Sequence, residues 1–268
     1  MTRPERSTPG LLVLVDAGNT NTVFGVYRGD EALESFRFST DNERTADEYG
    51  ALLLPLFQQH DLDPRRAEAV VVSSVVPPLH PTLERLAQRF FGCDPLFVEP
   101  GVRTGMPIRY DNPAEVGADR IVNAVAAREL YGAPVIVVDF GTATTFDVVN
   151  AAGEYAGGII APGILISAEA LFAHAARLYR VDVRRPPQLV GRNTAAAMQS
   201  GIFYGYVGLV DGILERLLAE RPDTRTVVAT GGQAELVASG SRFIQKVDPG
   251  LTLTGLKLIY DRNREPER

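Results

Sequence analysis

The chain has 268 residues, 45 % hydrophobic and 22 % charged, the balance of a soluble globular protein with room for one large domain or two ordinary ones. A formal net charge of −6 argues against a general nucleic-acid binder, which would be basic. A lone cysteine, Cys93, excludes an internal disulfide and points to a reducing cytoplasm, and no apolar run is long enough for a membrane span. The first ten residues carry charge and proline without an apolar stretch before a cleavage site, so no targeting segment is expected.

Met1 to Pro9 is polar, an expected frayed end. Leu11–Val15, Thr22–Tyr27 and Ala32–Ser39 are predicted as three antiparallel strands, with Arg28-Gly29-Asp30 as the second turn. Helical spacing follows over Thr45 to Gln59. Ala67–Val76 is a near-continuous apolar strand of the kind buried on both faces, ending at Pro77-Pro78. A helix over Pro81 to Phe91 and a short strand, Pro95–Val98, come next. The loop Pro100 to Pro113 leads to a helix over Ala114 to Leu130, which Gly132-Ala133-Pro134 breaks. The order then repeats: strands 135–140, 144–150 and 154–161, a helix over Ile164 to Leu178, a loop at Arg184–Leu189 and a long helix over Thr194 to Glu220. Strand Thr226–Thr230, helix Gln233–Ala238, strand Phe243–Val247, helix Leu251 to Arg262 and a charged tail complete the chain. Three antiparallel strands followed by alternating helix and strand, occurring twice, predict an α/β protein of two related halves, 1–131 and 132–268. Each is a mixed sheet with helices, and ligands are expected in a cleft between them.

Two hairpin tips carry the chemistry. Leu12-Val13-Leu14-Val15 ends in Asp16-Ala17-Gly18-Asn19-Thr20-Asn21-Thr22-Val23, and Val135-Ile136-Val137-Val138 ends in Asp139-Phe140-Gly141-Thr142-Ala143-Thr144. Glycine lets backbone N–H groups approach an anion, threonine and asparagine add donors, and an Asp at a strand end can hold a hard cation. Each tip taken alone also fits a plain hairpin turn, because Asp, Asn and Gly favour turns. A third signal, Val227-Val228-Ala229-Thr230-Gly231-Gly232-Gln233, runs a buried strand through paired glycines into a helix, where a flat ring or a phosphate can lie against backbone. The G-x-x-x-x-G-K-[ST] loop is absent, which disfavours a P-loop protein.

This ordered set resembles the superfamily of acetate and sugar kinases, heat-shock-70 proteins and actin. With Gly117-Ala118-Asp119-Arg120, Tyr155-Ala156-Gly157-Gly158 and Gly191-Arg192-Asn193-Thr194, it looks like the type III pantothenate kinase family over residues 11 to 260. The resemblance implies two ribonuclease-H-like halves and phosphorylation of pantothenate by ATP, the first step of coenzyme A synthesis. It implies that Asp119 is the base, that Tyr110, Gly117, Ala118, Asp119, Arg120 and Thr194 hold pantothenate, and that residues 16–23 and Thr142 hold ATP. Within that run Asp16 is expected to reach magnesium through water. Asp139 would bind a monovalent cation, potassium or ammonium. Ala17 departs from the valine or isoleucine usual in the family, and strand alternation turns it away from ligand.

Bottom-up, Asp119 near a helix start fits either a first-turn partner of the helix dipole or a carboxylate that takes a hydroxyl proton during phosphoryl transfer. Arg120 has the planar fork suited to a carboxylate or phosphate. Cys93 and the dispersed His60, His80 and His174 fit packing or surface roles, and Arg177, Arg180, Arg184 and Arg185 fit a solvated face or an anion lure. The 194–220 helix is apolar on more than one face, so it is either central core or the seam of a homodimer exposing Phe203, Tyr206 and Leu209 on dissociation. The rival reading is a nucleotide-binding regulator that keeps the fold without turnover. A sugar or acetate kinase is a third option, disfavoured by Gly-Ala-Asp-Arg.

Overall fold

The computed structural model describes residues 10–175 and 177–264. The expected frayed end, Met1–Pro9, and the tail beyond Arg264 lie outside them. The first sheet holds β1 (Leu11–Ala17), β2 (Asn21–Arg28), β3 (Glu31–Ser39), β4 (Ala67–Ser74) and β5 (Pro95–Phe97). Helices α1 (Ala46–Gln59) and α2 (His80–Leu86) lie between β3 and β4 and between β4 and β5 in sequence. Then come α3 (Ala118–Tyr131), β6 (Val135–Phe140), β7 (Ala143–Val149), β8 (Tyr155–Pro162), α4 (Ile164–His174) and α5 (Thr194–Glu220). The chain closes with β9 (Thr226–Thr230), α6 (Ala234–Ala238), β10 (Lys246–Val247) and α7 (Leu251–Asn263).

The repeat is exact in topology. One five-stranded sheet has the order β3-β2-β1-β4-β5 and the other β8-β7-β6-β9-β10. In each, an antiparallel meander gives the first three strands, and the next two add in parallel on the other side of the first. The first strand of each meander is therefore central, which explains the uninterrupted apolar runs of β1 and β6.

The described residues cluster into two compact units, and each sheet belongs to one of them. The first unit runs to Arg103 and also takes Gly117–Val122 and the chain from Thr252 on; the second holds Thr104–Val116 and Asn123–Leu251. Packing explains why the terminal helix joins the first sheet. A Cβ on Gly25 would stand 2.8 Å from the Leu253 side chain, and one on Gly255 would stand 2.2 Å from the Val122 carbonyl oxygen. Glycine at both places lets α7 lie against β2 and the first turns of α3. On the other face of that sheet, Val13, Val15 and Ala17 pack with Phe24, Tyr49, Leu53, Phe57, Leu79 and Leu83. Ala17 thus faces the core, as alternation requires.

Four element boundaries differ clearly from expectation. Helix α2 ends at Leu86, and Ala87–Phe91 follows it as a π-helical turn. The helix predicted from Ala114 is a 3₁₀ turn, Pro113–Glu115, capped by Asn112; extended Val116 then separates it from α3. That break puts Asp119 in the first turn of a helix. Helix α4 ends at His174 rather than Leu178, and the strand at Phe243–Val247 is only Lys246–Val247. The long helix α5 is chiefly core: Phe203, Tyr206, Val207, Val210 and Leu214 pack on Ile136, Val138, Phe146 and Ala229. Phe203 and Tyr206 are buried within one chain, so they are not seam residues; their side chains are already spent on the second sheet.

Candidate active site

In the first unit the tip between β1 and β2 is closed by a hydrogen bond from Gly18 N–H to Asn21 C=O at 3.0 Å. Asn19 and Thr20 are exposed at its apex, while Gly18, Asn21 and Val23 are half-buried. Thr22 is fully buried and its hydroxyl faces Thr40 Oγ1 at 2.9 Å. Asp16 is half-buried and lies in register with Ser73 of β4, so both side chains leave the sheet on the face opposite Val15 and Ala17. Ser73 is fully buried and its hydroxyl has no hydrogen-bond partner.

The parallel strands lead from that tip to Asp119. Val75 N–H donates to Ala17 C=O at 3.1 Å, just past the ends of both strands. Gly117 lies against Val75: a Cβ there would be 3.5 Å from Val75 Cγ1 and only 2.7 Å from Asp119 Oδ1. The same oxygen accepts the Arg120 N–H at 2.8 Å. Burial pushes the Asp119 carboxyl above its ordinary range, and the Arg120 N–H and guanidinium partly oppose that rise. A charged carboxylate held with little solvation is a stronger base than a free one. Arg120 is itself buried. Asp16, the Gly18–Thr22 tip, Gly117, Ala118, Asp119 and Arg120 thus all belong to the first unit.

The second unit repeats the tip with different supports. Gly141 N–H donates to Ala143 C=O at 3.1 Å, and half-buried Thr142 gives its carbonyl to Gly163 N–H at 3.1 Å. Gly163 must be glycine, since a Cβ would stand 2.3 Å from that carbonyl oxygen. Asp139 is the penultimate residue of β6, with Thr145 and Thr230 beside it in the flanking strands. Its Oδ2 accepts from Asn123 Nδ2 at 2.9 Å, and Asn123 is fully buried. Its Oδ1 is 2.5 Å from where a Cβ of Gly231 would stand; Gly231 has φ +90°, a backbone that favours glycine. The Gly-Gly turn therefore opens directly against the Asp139 carboxylate.

Tyr110 and Thr194 are in the second unit as well. The Tyr110 segment adds to the edge of β8: Arg109 N–H donates to Tyr155 C=O at 2.8 Å and Tyr155 N–H to Pro107 C=O at 2.9 Å. The Tyr110 ring lies against Gly157, 6.3 Å from the Tyr155 ring. Thr194 opens α5 beneath its cap, Asn193, and is exposed. It lines a groove of about 710 Å³ with Leu171, Leu178, Gly191 and Met198, and Tyr110 is not among the lining residues.

Two supporting devices escaped the sequence reading. The threonine opposite the residue after each tip aspartate, Thr22 across from Ala17 and Thr144 across from Phe140, is buried and meets a tyrosine hydroxyl from a packed helix. Tyr49 of α1 donates to Thr22, and Tyr206 of α5 pairs with Thr144. The second device is Asn123, one turn after Asp119 on α3. Its signal was available as a lone amide in the apolar run Ile121-Val122-Asn123-Ala124-Val125. The remaining candidates have plain roles: His60 meets Glu34, His80 stacks on Phe97, Arg180 pairs with Glu169, and Cys93 packs beside the first core. Among the described residues no three His, Cys, Asp or Glu side chains gather as a metal cluster, and no helix is long and apolar enough to cross a membrane.

Comparison with known proteins identifies the family. The family model for type III pantothenate kinase matches residues 12–216, spanning both tips and the Gly117–Arg120 step. A type III pantothenate kinase of Myxococcus xanthus is 58 % identical, covering 94 % of this chain and 99 % of that protein. One from Geobacter sulfurreducens is 56 % identical, covering 95 % and 100 %. Among solved structures, MreB 5 of Spiroplasma citri bound to AMPPNP superposes with a TM-score of 0.57 at 11 % identity, over 97 % of each chain, a likeness of fold alone. On the strength of the family match and the near full-length relatives, the chain belongs to the type III pantothenate kinase family.

Proposed function

We propose that this chain transfers the γ-phosphoryl group of ATP to the 4′-hydroxyl of pantothenate, with Asp119 as the general base. The observation that carries the reading is the Asp119 carboxylate: buried, raised in pKa, and aimed by Arg120 N–H and the bare backbone of Gly117. As the pantothenate oxygen bonds to the γ-phosphorus, its proton passes to Asp119. The bond from that phosphorus to the β–γ bridging oxygen breaks, and its electron pair leaves with ADP. The tip N–H groups and the exposed Asn19 and Thr20 side chains take the phosphates, with Thr142 serving the nucleotide from the second tip. Tyr110, Gly117, Ala118 and Thr194 contact pantothenate. Arg120 supplies a fixed positive fork to its carboxylate or to the transferred group.

Asp16 fits magnesium, which keeps most of its waters and takes one or two carboxylates beside substrate phosphates; the spare Ser73 hydroxyl adds an oxygen on the same face. Asp139 fits potassium or ammonium, because its Oδ1 faces the bare backbone of Gly231 and two threonines, Thr145 and Thr230, stand beside it in register. These cations supply positive charge that offsets the phosphates. The active unit is a cytoplasmic homodimer joined along α5. Its support is a stripe of small residues, Gly201, Gly205 and Gly208, where an added Cβ would meet nothing within 4 Å, beside half-buried Tyr204 and Leu209. Such a stripe permits close helix approach, since the distance between packed helices depends on the side chains at the contact. A coupled assay for ADP release tests the reaction: release that depends on pantothenate supports it, and none with pantothenate present refutes it.

A further inference from the structure

We propose that Thr40, just past the end of β3, is the positioning residue of the first phosphate tip. It holds that tip in an anion-binding form through three hydrogen bonds. The Thr40 hydroxyl donates to Gly18 C=O at 2.6 Å, its backbone N–H donates to Thr20 C=O at 2.9 Å, and its Oγ1 lies 2.9 Å from Thr22 Oγ1. One residue distant in sequence thus grips three successive alternate positions of the tip.

Proton counting gives this grip a direction. A threonine hydroxyl has one proton. That of Thr40 is spent on Gly18 C=O, which can only accept, so Thr22 must donate to Thr40. Thr22 Oγ1 in turn receives the Tyr49 hydroxyl, at 3.4 Å. The result is a one-way chain from Tyr49 through Thr22 and Thr40 to Gly18, in a setting where Thr22 and Tyr49 are fully buried. Such chains polarise each bond along their length. The Arg44 guanidinium lies over the Tyr49 ring, 5.1 Å from its centroid, and donates to Ser39 C=O, which closes the near side of the chain.

The consequence for ligand follows from the planar trans peptide. In it, the carbonyl of one residue and the N–H of the next point in opposite directions. With Gly18 C=O fixed towards Thr40, the Asn19 N–H is turned away from Thr40. A tip that keeps this peptide in place presents a fixed donor to an anion; a tip that lets it flip presents a carbonyl oxygen, which repels phosphate. The Thr40 hydroxyl therefore matters to nucleotide binding without touching nucleotide. It has no such bearing on pantothenate.

The inference rests on the first tip binding the phosphates of ATP, and the experiment separates the two. Binding of magnesium ADP is measured by titration calorimetry on the full chain, with pantothenate KM and thermal midpoint alongside. Thr40→Val keeps the shape and the backbone bond but removes the hydroxyl. It is expected to weaken magnesium ADP by about three- to tenfold, the worth of one hydrogen bond, and to leave pantothenate KM unchanged. Thr40→Ser restores the donor and is expected to restore affinity. Thr40→Ala replaces the valine variant should the latter fail to fold. Weakening below about threefold, or weakening that Thr40→Ser shares equally, overturns the inference while leaving the kinase reading intact. Failure of the wild-type chain to bind magnesium ADP defeats the kinase reading, and this inference with it.

Discussion

Replacing Gly117 with alanine tests whether the placement of Asp119 sets the rate. The new methyl carbon would stand 2.7 Å from Asp119 Oδ1, whereas ordinary contact begins near 3.4 Å, so the carboxylate must retreat by about 0.7 Å. Val75 Cγ1, 3.5 Å away on the other side, is at normal contact and need not move. The clash falls on the end of a side chain rather than on backbone, and rotation of Asp119 relieves it. Rotation also strains or breaks the 2.8 Å bond from Arg120 N–H. The cost therefore appears in catalysis and not in folding. A reacting group misplaced by ~1 Å loses on the order of 10²-fold, so Gly117→Ala is expected to lower kcat by about 10- to 100-fold. ATP affinity should be unchanged, and the thermal midpoint should stay within a few degrees. ADP-release kinetics at saturating ATP and pantothenate, with a thermal melt of the same sample, give both quantities. A variant with kcat within about twofold of wild type and an unshifted melt would show that Gly117 does not set the position of Asp119.

Asp119→Asn should lose about 10²–10⁴-fold in turnover, about 3–5 kcal/mol of barrier, yet melt no lower than wild type. The amide oxygen can still accept from Arg120 N–H, and the buried charge is gone. The same burial fixes the sign of the pH dependence. With the carboxyl raised above 3.8, the fall in kcat/KM towards acid should begin above the ordinary Asp range. The folding penalty of the charge, present above the raised pKa, should be relieved as pH falls through it; an acid limb at or below 3.8 counts against Asp119 as base. Potassium or ammonium should raise activity over sodium at constant ionic strength, and Asp139→Asn should flatten that difference; equal rates in all three salts would remove the cation from Asp139. Gly205→Leu fills the exposed stripe of α5 with a better helix former, so it should fold, shift to monomer by light scattering and raise pantothenate KM. A wild-type monomer that is fully active would refute the shared helix.

The local chemistry of this protein was legible in its sequence because it is local. Apolar runs ending in Asp16 and Asp139, each followed by glycine and hydroxyls, predict strand, turn and strand with no knowledge of the rest of the chain. The repeat of that pattern also predicted two sheets of one topology. Asp119 was visible beside Arg120, although its place in the first turn depended on the extended Val116 that separates the 3₁₀ turn from the helix. Tertiary structure decided whatever depends on residues distant in sequence. The faces of α5 could not be assigned from its composition, because core and seam are both apolar; only packing on β6 and β7 shows that Phe203 and Tyr206 are core and that the glycines are bare. Packing of α7 involves two missing Cβ atoms, at Gly25 of β2 and at Gly255 against α3, which a sequence records only as glycine. Thr40 lies 22 residues from Gly18, and Asn123 lies 16 from Asp139. No periodicity links such pairs, since a hydrogen bond is set by position in space and only the folded sheet and helix bring its two ends within 3 Å.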